Sequence, residues 1–95
     1  MPTGRRRPEM EHMMTRILFF GRVAERLGAE GRLDLPGDGA TLGEIRHLLA
    51  ARDEAAADAL LRSDVRASLD QVVAGDDVRA VPGQEIAFFS IFSGG

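Results

Sequence analysis

Two short apolar runs stand near opposite ends of the chain, and each closes on a pair of phenylalanines. They are Arg16-Ile17-Leu18-Phe19-Phe20 and Glu85-Ile86-Ala87-Phe88-Phe89, and they hold four of the five phenylalanines. Short β-branched and aromatic runs are typical of strands, and the unbroken first run predicts burial on both faces of a sheet. Successive strand side chains point to opposite faces, so of Phe88 and Phe89 one is expected in the core and the other at an interface. We expect the two strands to lie side by side.

A helix between the two runs is predicted by its first turn. Thr41-Leu42-Gly43-Glu44 fits a capping box, in which the threonine and glutamate side chains accept hydrogen bonds from backbone amides at the helix start. His47, beside Arg46, is placed on the solvated side. The helix is predicted over residues 41–51, and residues 53–62 indicate a second, weaker helical stretch. The apolar residues of the first helix share one face and are expected to be buried: Leu42, Ile45, Leu48 and Leu49.

Shorter segments complete an α+β pattern. Residues 21–27 predict a short irregular or helical connection ending at Gly28, residues 32–35 a strand with one wet face, and residues 65–73 a third strand. Turn chemistry marks residues 36–39, 75–77 and 82–84. With the helix covering one face of a mixed sheet, this order predicts a β-grasp, the ubiquitin-like fold, although a ferredoxin-like α+β domain also fits.

Composition narrows the chemistry of the chain. Its 95 residues suit one domain, and the absence of Cys excludes disulfides, zinc ribbons and thiol nucleophiles. Two histidines are too few for a histidine-based metal site, so no metal and no bound cofactor are expected. A net charge of −3 argues against nucleic acid, and the lack of a long apolar run argues against a membrane span, so a cytoplasmic protein is expected. Residues 1–13 lack hydrophobic periodicity and are predicted to be a flexible extension before a single domain, 14–95.

The chain closes on Ser90-Ile91-Phe92-Ser93 and then Gly94-Gly95. Glycine has no Cβ, so Gly94 can thread a channel too narrow for side chains, and the terminal carboxylate of Gly95 can reach another protein's active site. A carboxylate becomes a good electrophile once its oxygen is part of a leaving group, for example by adenylation with ATP, and sulfur can then displace AMP to leave a thiocarboxylate. This chemistry needs no side-chain nucleophile. We predict Gly95 as the reacting group, Gly94 as the threading residue, and four residues that dock on a partner: Phe89, Ile91, Phe92 and Ser93.

Three stretches carry a resemblance to a known family. They are Ile17-Leu18-Phe19-Phe20-Gly21 with Glu25 and Gly28, Thr41-Leu42-Gly43-Glu44-Ile45, and Glu85-Ile86-Ala87-Phe88-Phe89 with the terminal Gly94-Gly95. On these residues, the chain from Thr15 to Gly95 resembles the MoaD/ThiS family of ubiquitin-like sulfur carriers, and most closely its molybdopterin branch.

Three positions depart from that family's pattern. Two prolines are common in the family's tail where this chain has Ser90 and Ile91, and prolines would stiffen that segment. Leu69-Asp70-Gln71 places a carboxylate where the family commonly has an amide, and Ala24 stands where an arginine often precedes the glutamate. None of these positions touches the reacting carboxylate of Gly95.

The resemblance implies a protein-borne sulfur reagent rather than an enzyme acting alone. An E1-like (MoeB-like) adenylyltransferase, using ATP and Mg²⁺, would form the acyl-adenylate at Gly95, and a sulfur donor protein would convert it to the thiocarboxylate. The tail would then enter the MoaE-like large subunit of molybdopterin synthase, which supplies the catalytic side chains and holds the cyclic pyranopterin precursor of the molybdenum cofactor. The active form implied is a heterotetramer, with two small subunits at the ends of a dimer of large ones.

Two alternatives stay open. The chain can be a sulfur carrier of another pathway, serving thiamine, cysteine or tRNA thiolation. It can also be a ubiquitin-like interaction module, or a protein modifier joined through Gly95. All 12 basic residues are arginines, so the chain cannot form lysine-linked polymers of itself.

Overall fold

The two apolar runs form the neighbouring central strands of the sheet. The structure, a computed structural model, describes residues 12–91, with side chains from Met14 onward. Strand β1 (His12–Phe20) lies parallel to the strand that closes the fold, β7 (Ile86–Ser90). Phe19 is opposite Phe88 and Phe20 is opposite Phe89 in this pair. The predicted side-by-side arrangement is therefore confirmed.

The remaining strands are β2 (Glu30–Pro36), β3 (Ala40–Thr41), β4 (Val65–Leu69), β5 (Val72–Ala74) and β6 (Arg79–Ala80). The main sheet has five strands in the order β2-β1-β7-β4-β5, and every neighbouring pair except β1–β7 is antiparallel. A separate two-stranded sheet pairs β3 with β6. The helices are α1 (Gly21–Leu27), α2 (Leu42–Ala50) and α3 (Glu54–Leu60). This mixed sheet with a covering helix is the predicted β-grasp.

The core lies on one face of the sheet only. Thr15, Ile17 and Phe19 of β1 are buried, whereas Arg16 and Phe20, which alternate with them, are exposed. The expectation that the first strand is buried on both faces is wrong, because the helices pack on one face and leave the other open. The core joins this inner face to residues of the three helices, among them Val23, Leu42, Ile45, Leu49 and Leu60.

Helix α2 begins with the predicted capping box. The Glu44 N–H donates to Thr41 Oγ1 at 3.1 Å, and the Thr41 N–H donates to Glu44 Oε1 at 2.8 Å. The Thr41 backbone hydrogen bond, followed by its side-chain hydrogen bond, lowers the pKa of Glu44. Two reciprocal bonds therefore hold the helix start and satisfy two amides that would otherwise lack partners.

The predicted buried face of α2 is wrong at Leu48, and the predicted solvated side is wrong at Arg46. Leu48 is 50% exposed, whereas Arg46 is only 8% exposed. At about 100° per residue, Arg46 lies about 40° from Leu42 around the helix, and Leu48 lies about 120° away on the other side. The buried arc is therefore centred near Leu42 and includes the arginine rather than the leucine.

Arg46 is buried because its guanidinium has acceptors in three other parts of the fold. Nη1 donates to the backbone oxygens of Leu60 at 2.9 Å and Val65 at 3.1 Å, and Nη2 donates to Asp76 Oδ1 at 3.0 Å. The guanidinium carbon also lies 5.5 Å from the centre of the Phe88 ring. Arg46 thus ties α2 to the end of α3, the start of β4 and the turn after β5, which is a structural role.

The predicted third strand, residues 65–73, is a hairpin of two strands, β4 and β5. Its turn residues Asp70 and Gln71 have φ angles of 51° and 71°, in the left-handed region. Asp70 is held there by its carboxylate, which accepts from the Glu85 N–H and from Gln84 Nε2, both at 2.9 Å. The sequence hides this turn because it contains no glycine or asparagine, the residues that usually adopt such angles.

The remaining predictions fare as follows. Residues 21–27 are helical, with Gly28 as the C-cap, and one face of β2 is exposed to solvent as expected. Helix α3 is shorter than its predicted range and begins after Asp53, whose Oδ1 accepts from the Ala56 N–H at 2.8 Å. Strand β1 begins at His12, so the predicted extension 1–13 is wrong at residues 12 and 13, and residues 1–11 lie outside the described residues. Within residues 12–91, no helix is long and apolar enough to cross a bilayer.

Candidate functional site

The predicted site residues fall into two groups. Phe89 and Ile91 belong to the end of β7 and the residue after it, and both have described positions. Phe92, Ser93, Gly94 and Gly95 lie outside the described residues. The site can therefore be built from the strand that leads into the C-terminal segment and from the surface around it.

Phe89 is on the open face of the sheet, beside an aromatic residue of the next strand. Phe88 is fully buried, whereas Phe89 is half-buried, so these neighbours point to opposite faces as predicted. Phe20 of β1 is the register partner of Phe89 and is 51% exposed. Because β1 and β7 run parallel, this aromatic pair lies at the end of the sheet from which the C-terminal segment departs.

The aromatic pair is part of a larger apolar surface, which we call the outer patch. Alternation along the strands places Leu18 and Ala87 on the same face, and the β4–β5 register adds Val73, which is 65% exposed. Charged residues of the neighbouring strands share this face and surround the patch: Arg16, Glu30, Arg32, Asp34 and Arg66. Ala87 is only 2% exposed and Ser68 lies between it and Val73, so most of the exposed apolar area comes from Phe20 and Val73, with Leu18 and Phe89 half-buried. Exposed apolar side chains with a charged rim are typical of a protein-binding site.

Sequence reasoning missed Phe20, Leu18 and Val73 as members of this surface. The first run was interpreted as buried throughout, and the stretch holding Val73 was interpreted as part of one strand. Arg16 was a usable signal. It lies on the same face of its strand as Leu18 and Phe20, because it is two and four positions before them, and a charged residue indicates that this face is exposed to solvent.

The root of the C-terminal segment is bonded to the loop before β4. Ser90 Oγ donates to Asp64 Oδ2 at 2.9 Å, and the Ile91 N–H donates to the Asp64 backbone oxygen at 2.9 Å. Arg62 Nε donates to the other carboxylate oxygen at 3.2 Å. The Ser90 hydrogen bond is the largest cause of a lowered pKa of Asp64, because it stabilises the ionised form.

Arginines lie close to this root. Arg22 and Arg26 are exposed, as predicted for surface charges, and Arg26 pairs with Asp58 at 3.1 Å. Together with Arg62 they border a cavity of about 200 Å³ that also touches Ser90. The surface on the helix side of this root therefore carries three arginines, of which Arg26 and Arg62 are paired with Asp58 and Asp64.

The other polar residues singled out from the sequence have local roles. His47 is exposed, and its Nδ1 lies 2.9 Å from the Gly43 backbone oxygen. Asp76 and Asp77 form the predicted turn, where Asp76 accepts from Arg46. Across residues 12–91, no group of three or more His, Cys, Asp or Glu side chains is arranged to hold a metal ion.

Comparison with known proteins gives these features a family context. The ThiS family model matches residues 17–95. The molybdopterin synthase sulfur carrier subunit of Escherichia coli (strain K12) is 30% identical over 82 residues, which span 86% of this chain and 100% of that protein.

Solved structures agree on the fold. The crystal structure of SAMP1 from Haloferax volcanii has a TM-score of 0.67 at 25% identity, covering 86% of this chain and 99% of that chain. The crystal structure of the H. volcanii small archaeal modifier protein 1 has a TM-score of 0.65 at 23% identity, covering 81% and 95%, a likeness of fold alone. The ubiquitin-like β-grasp is confirmed, and the chain belongs to the ThiS/MoaD family of ubiquitin-like sulfur carriers.

Proposed function

We propose that this chain is the sulfur carrier subunit of a molybdopterin synthase and that Gly95 carries the sulfur as a thiocarboxylate. The observation that supports this most directly is the position of the outer patch. It lies at the end of the sheet where β7 leads into the segment that closes on Gly94-Gly95. The similarity to the E. coli sulfur carrier subunit over that protein's whole length favours the molybdopterin pathway.

The outer patch provides the contact that brings the carrier to its partners. Phe20 and Val73 expose apolar area that becomes favourable to bury once a partner covers it. Phe89 and Ile91 continue this surface toward the C-terminus, and we retain them as proposed docking residues. Phe92 and Ser93 extend the same contact in the proposal, and Gly94 threads the channel of the partner.

The chemistry takes place at the Gly95 carboxylate in two steps. A carboxylate oxygen attacks the α-phosphorus of ATP within an E1-like adenylyltransferase, forming the acyl-adenylate and releasing pyrophosphate, with Mg²⁺ neutralising phosphate charge. A sulfur donor protein then supplies sulfur at the sulfide level, and this sulfide attacks the carbonyl carbon. The C–S bond forms, AMP leaves with the electron pair of the broken C–O bond, and a thiocarboxylate remains. The carrier is thus a reagent, and the large subunit supplies the side chains that transfer its sulfur to the pyranopterin precursor.

The two partners are expected to bind in turn rather than together. The activating enzyme and the large subunit must both receive the same C-terminus, and both therefore approach the same end of the sheet. A surface that serves two partners in succession suits a carrier, because release from the first partner must precede delivery to the second.

Intact-mass measurement tests the proposal. The carrier is incubated with the adenylyltransferase of its own organism, ATP, Mg²⁺ and a sulfide source, and fragmentation locates any oxygen-to-sulfur exchange. We expect the exchange at Gly95 and its loss when Gly95 is deleted, whereas Val72→Ala, a change away from the outer patch, leaves it intact. Addition of the large subunit and the pyranopterin precursor should then return the carrier to its original mass. If the carrier becomes thiocarboxylated but does not lose its sulfur when the large subunit and the precursor are added, the molybdopterin pathway is wrong and another sulfur-transfer pathway is indicated.

A second candidate function is protein modification through Gly95. The similarity to H. volcanii SAMP1, named as a small archaeal modifier protein, favours it. An epitope-tagged carrier expressed in its own organism would then appear in covalent adducts of higher mass that disappear when Gly95 is deleted. Because every basic residue is arginine, such adducts would hold one modifier per acceptor lysine. Ladders built from lysine-linked copies of this chain would contradict this description.

A further inference from the structure

The last bonded residues of β7 converge on one side chain of a distant loop. Ser90 is the register partner of Val65, the first residue of β4, and the Ile91 N–H extends this pairing by one residue to the Asp64 backbone oxygen. Ser90 Oγ adds a side-chain bond to the Asp64 carboxylate at 2.9 Å. Two consecutive residues at the root of the C-terminal segment are therefore bonded to the same residue.

The environment of Asp64 makes these bonds persistent. Its side chain is only 12% exposed, and Ser90 is half-buried. Each carboxylate oxygen has a donor, Ser90 on one and Arg62 on the other. Hydrogen bonds to an ionised group are stronger than neutral ones, and partial burial limits the competition from water. The contacts of Asp64 and Ser90 are thus more than a chance encounter of exposed side chains.

These bonds restrict the backbone at the root of the C-terminal segment, where flexibility would increase the entropy lost when the tail enters a partner. In the proposed carrier, the four residues from Phe92 to Gly95 can span at most about 13–14 Å. With so short a reach, the direction of Ile91 decides which channel Gly95 can enter. Prolines would restrict such a root through their fixed φ angle, whereas Ser90 and Ile91 are restricted here through hydrogen bonds to Asp64.

We propose that Asp64 is a positioning residue, and that its bonds to Ser90 and Ile91, which we call the tail latch, set the direction in which the C-terminus leaves the sheet. This inference rests on the proposed function, since the latch is useful because Gly95 must enter a partner's active site. A root ordered in advance reduces the entropy that is lost when the tail is inserted. Asp64 acts through Ser90 and Ile91 and takes no part in the chemistry at Gly95.

Steady-state adenylation of the carrier tests the latch through its effect on KM. Ser90→Ala removes the hydroxyl, whereas Ser90→Thr keeps it. Arg79→Ala is the matched control, because Arg79 lies in the separate two-stranded sheet and the substitution breaks an exposed hydrogen bond of 3.2 Å from its Nη1 to the Asp38 backbone oxygen. We expect Ser90→Ala to raise the KM for the carrier about 3- to 10-fold with kcat unchanged, the effect of one lost ordering contact. Ser90→Thr and Arg79→Ala should stay within about twofold of the wild type.

Hydrogen exchange of the Ile91 amide, followed by NMR on the free carrier, reports on the latch without any partner. Exchange should be faster in Ser90→Ala than in the wild type, and it should be unchanged in Arg79→Ala. Unchanged exchange in Ser90→Ala would overturn the latch itself. Faster exchange together with an unchanged KM would overturn its positioning role. If the wild type is not adenylated at all, the proposed function fails and so does the positioning role, while the exchange data alone decide whether the latch exists.

Discussion

Replacing Phe20 by alanine should weaken binding to the MoaE-like large subunit more than any comparable change elsewhere on the surface. Phe20 is the most exposed aromatic side chain in the outer patch, and it lies beside Phe89 at the end of the sheet that leads to the C-terminus. In the proposed function, a partner that receives Gly95 approaches this end of the sheet and covers the Phe20 ring. Aromatic residues at the centre of such contacts contribute much of the binding free energy.

The expected magnitude follows from the area that the partner covers. A phenylalanine side chain buries about 150–250 Å² when it is fully covered, and Phe20 has 51% of its surface still exposed. About 100 Å² therefore remains to be buried, which corresponds to about 2.5 kcal/mol at about 25 cal/mol per Å². This is an upper value, because alanine retains its Cβ and the free partner adjusts to the smaller side chain. We expect the Kd to rise about 10- to 60-fold.

Isothermal titration calorimetry of the carrier with the large subunit measures the change, and thermal unfolding checks that the variant is folded. Val72→Ala is the control, because Val72 is 69% exposed but pairs with Leu69 on the opposite face of the sheet. Its Kd should stay within about twofold of the wild type. If Phe20→Ala and Val72→Ala weaken binding equally, or if neither does, the outer patch is not the docking surface and the reasoning fails.

Other predictions concern stability. Arg46→Ala leaves two buried backbone carbonyls and a carboxylate without their donor. Urea unfolding should show a loss of about 3–5 kcal/mol in the free energy of unfolding. The control Arg22→Ala, at an exposed residue, should cost less than about 0.5 kcal/mol. Gly39→Ala should cost at least about 3 kcal/mol in the same assay, because φ is +85° and a Cβ would overlap a backbone carbonyl of β6; a smaller loss would show that this loop can rearrange. Asp64 and Glu44 have lowered pKa values, so their stabilising contribution is complete above the ordinary carboxyl pKa and should disappear between about pH 5 and pH 2. A free energy of unfolding that does not fall over this range would contradict that assignment.

Much of the architecture was predictable because its signals are local. The capping box at Thr41 and Glu44 needs only residues three apart, and the periodicity of β2 appears within a few residues. The pairing of β1 with β7 was also predictable. Both strands are apolar, and apolar strands are most stable in the middle of a sheet, where each can lie beside the other. The reacting group of the proposed carrier, the carboxylate of Gly95, stays a prediction from the sequence.

Several features were hidden because they depend on residues far apart in the chain. Leu48 is the more apolar residue of α2, yet Arg46 is the one that the fold buries, because only there do carbonyls from α3 and β4 and a carboxylate from the turn after β5 converge. The Asp70 turn was missed for the same reason, since its partners Gln84 and Glu85 hold a backbone conformation that its own neighbours do not suggest.

The division between sequence and structure is clearest at the C-terminus. From the residues alone we predict that a Gly-Gly terminus carries an activated carboxylate, because that property depends on the absence of side chains and on the terminal group. The surroundings of Phe89, Ser90 and Ile91, which lead toward this terminus, became known from the fold. The sheet brings Phe20 beside Phe89, and it brings Asp64 to Ser90 across 26 positions of the chain. The physical reason is that the reactivity of a terminal group depends on covalent structure, whereas the side chains that surround a strand end depend on contacts that exist once the strands have paired.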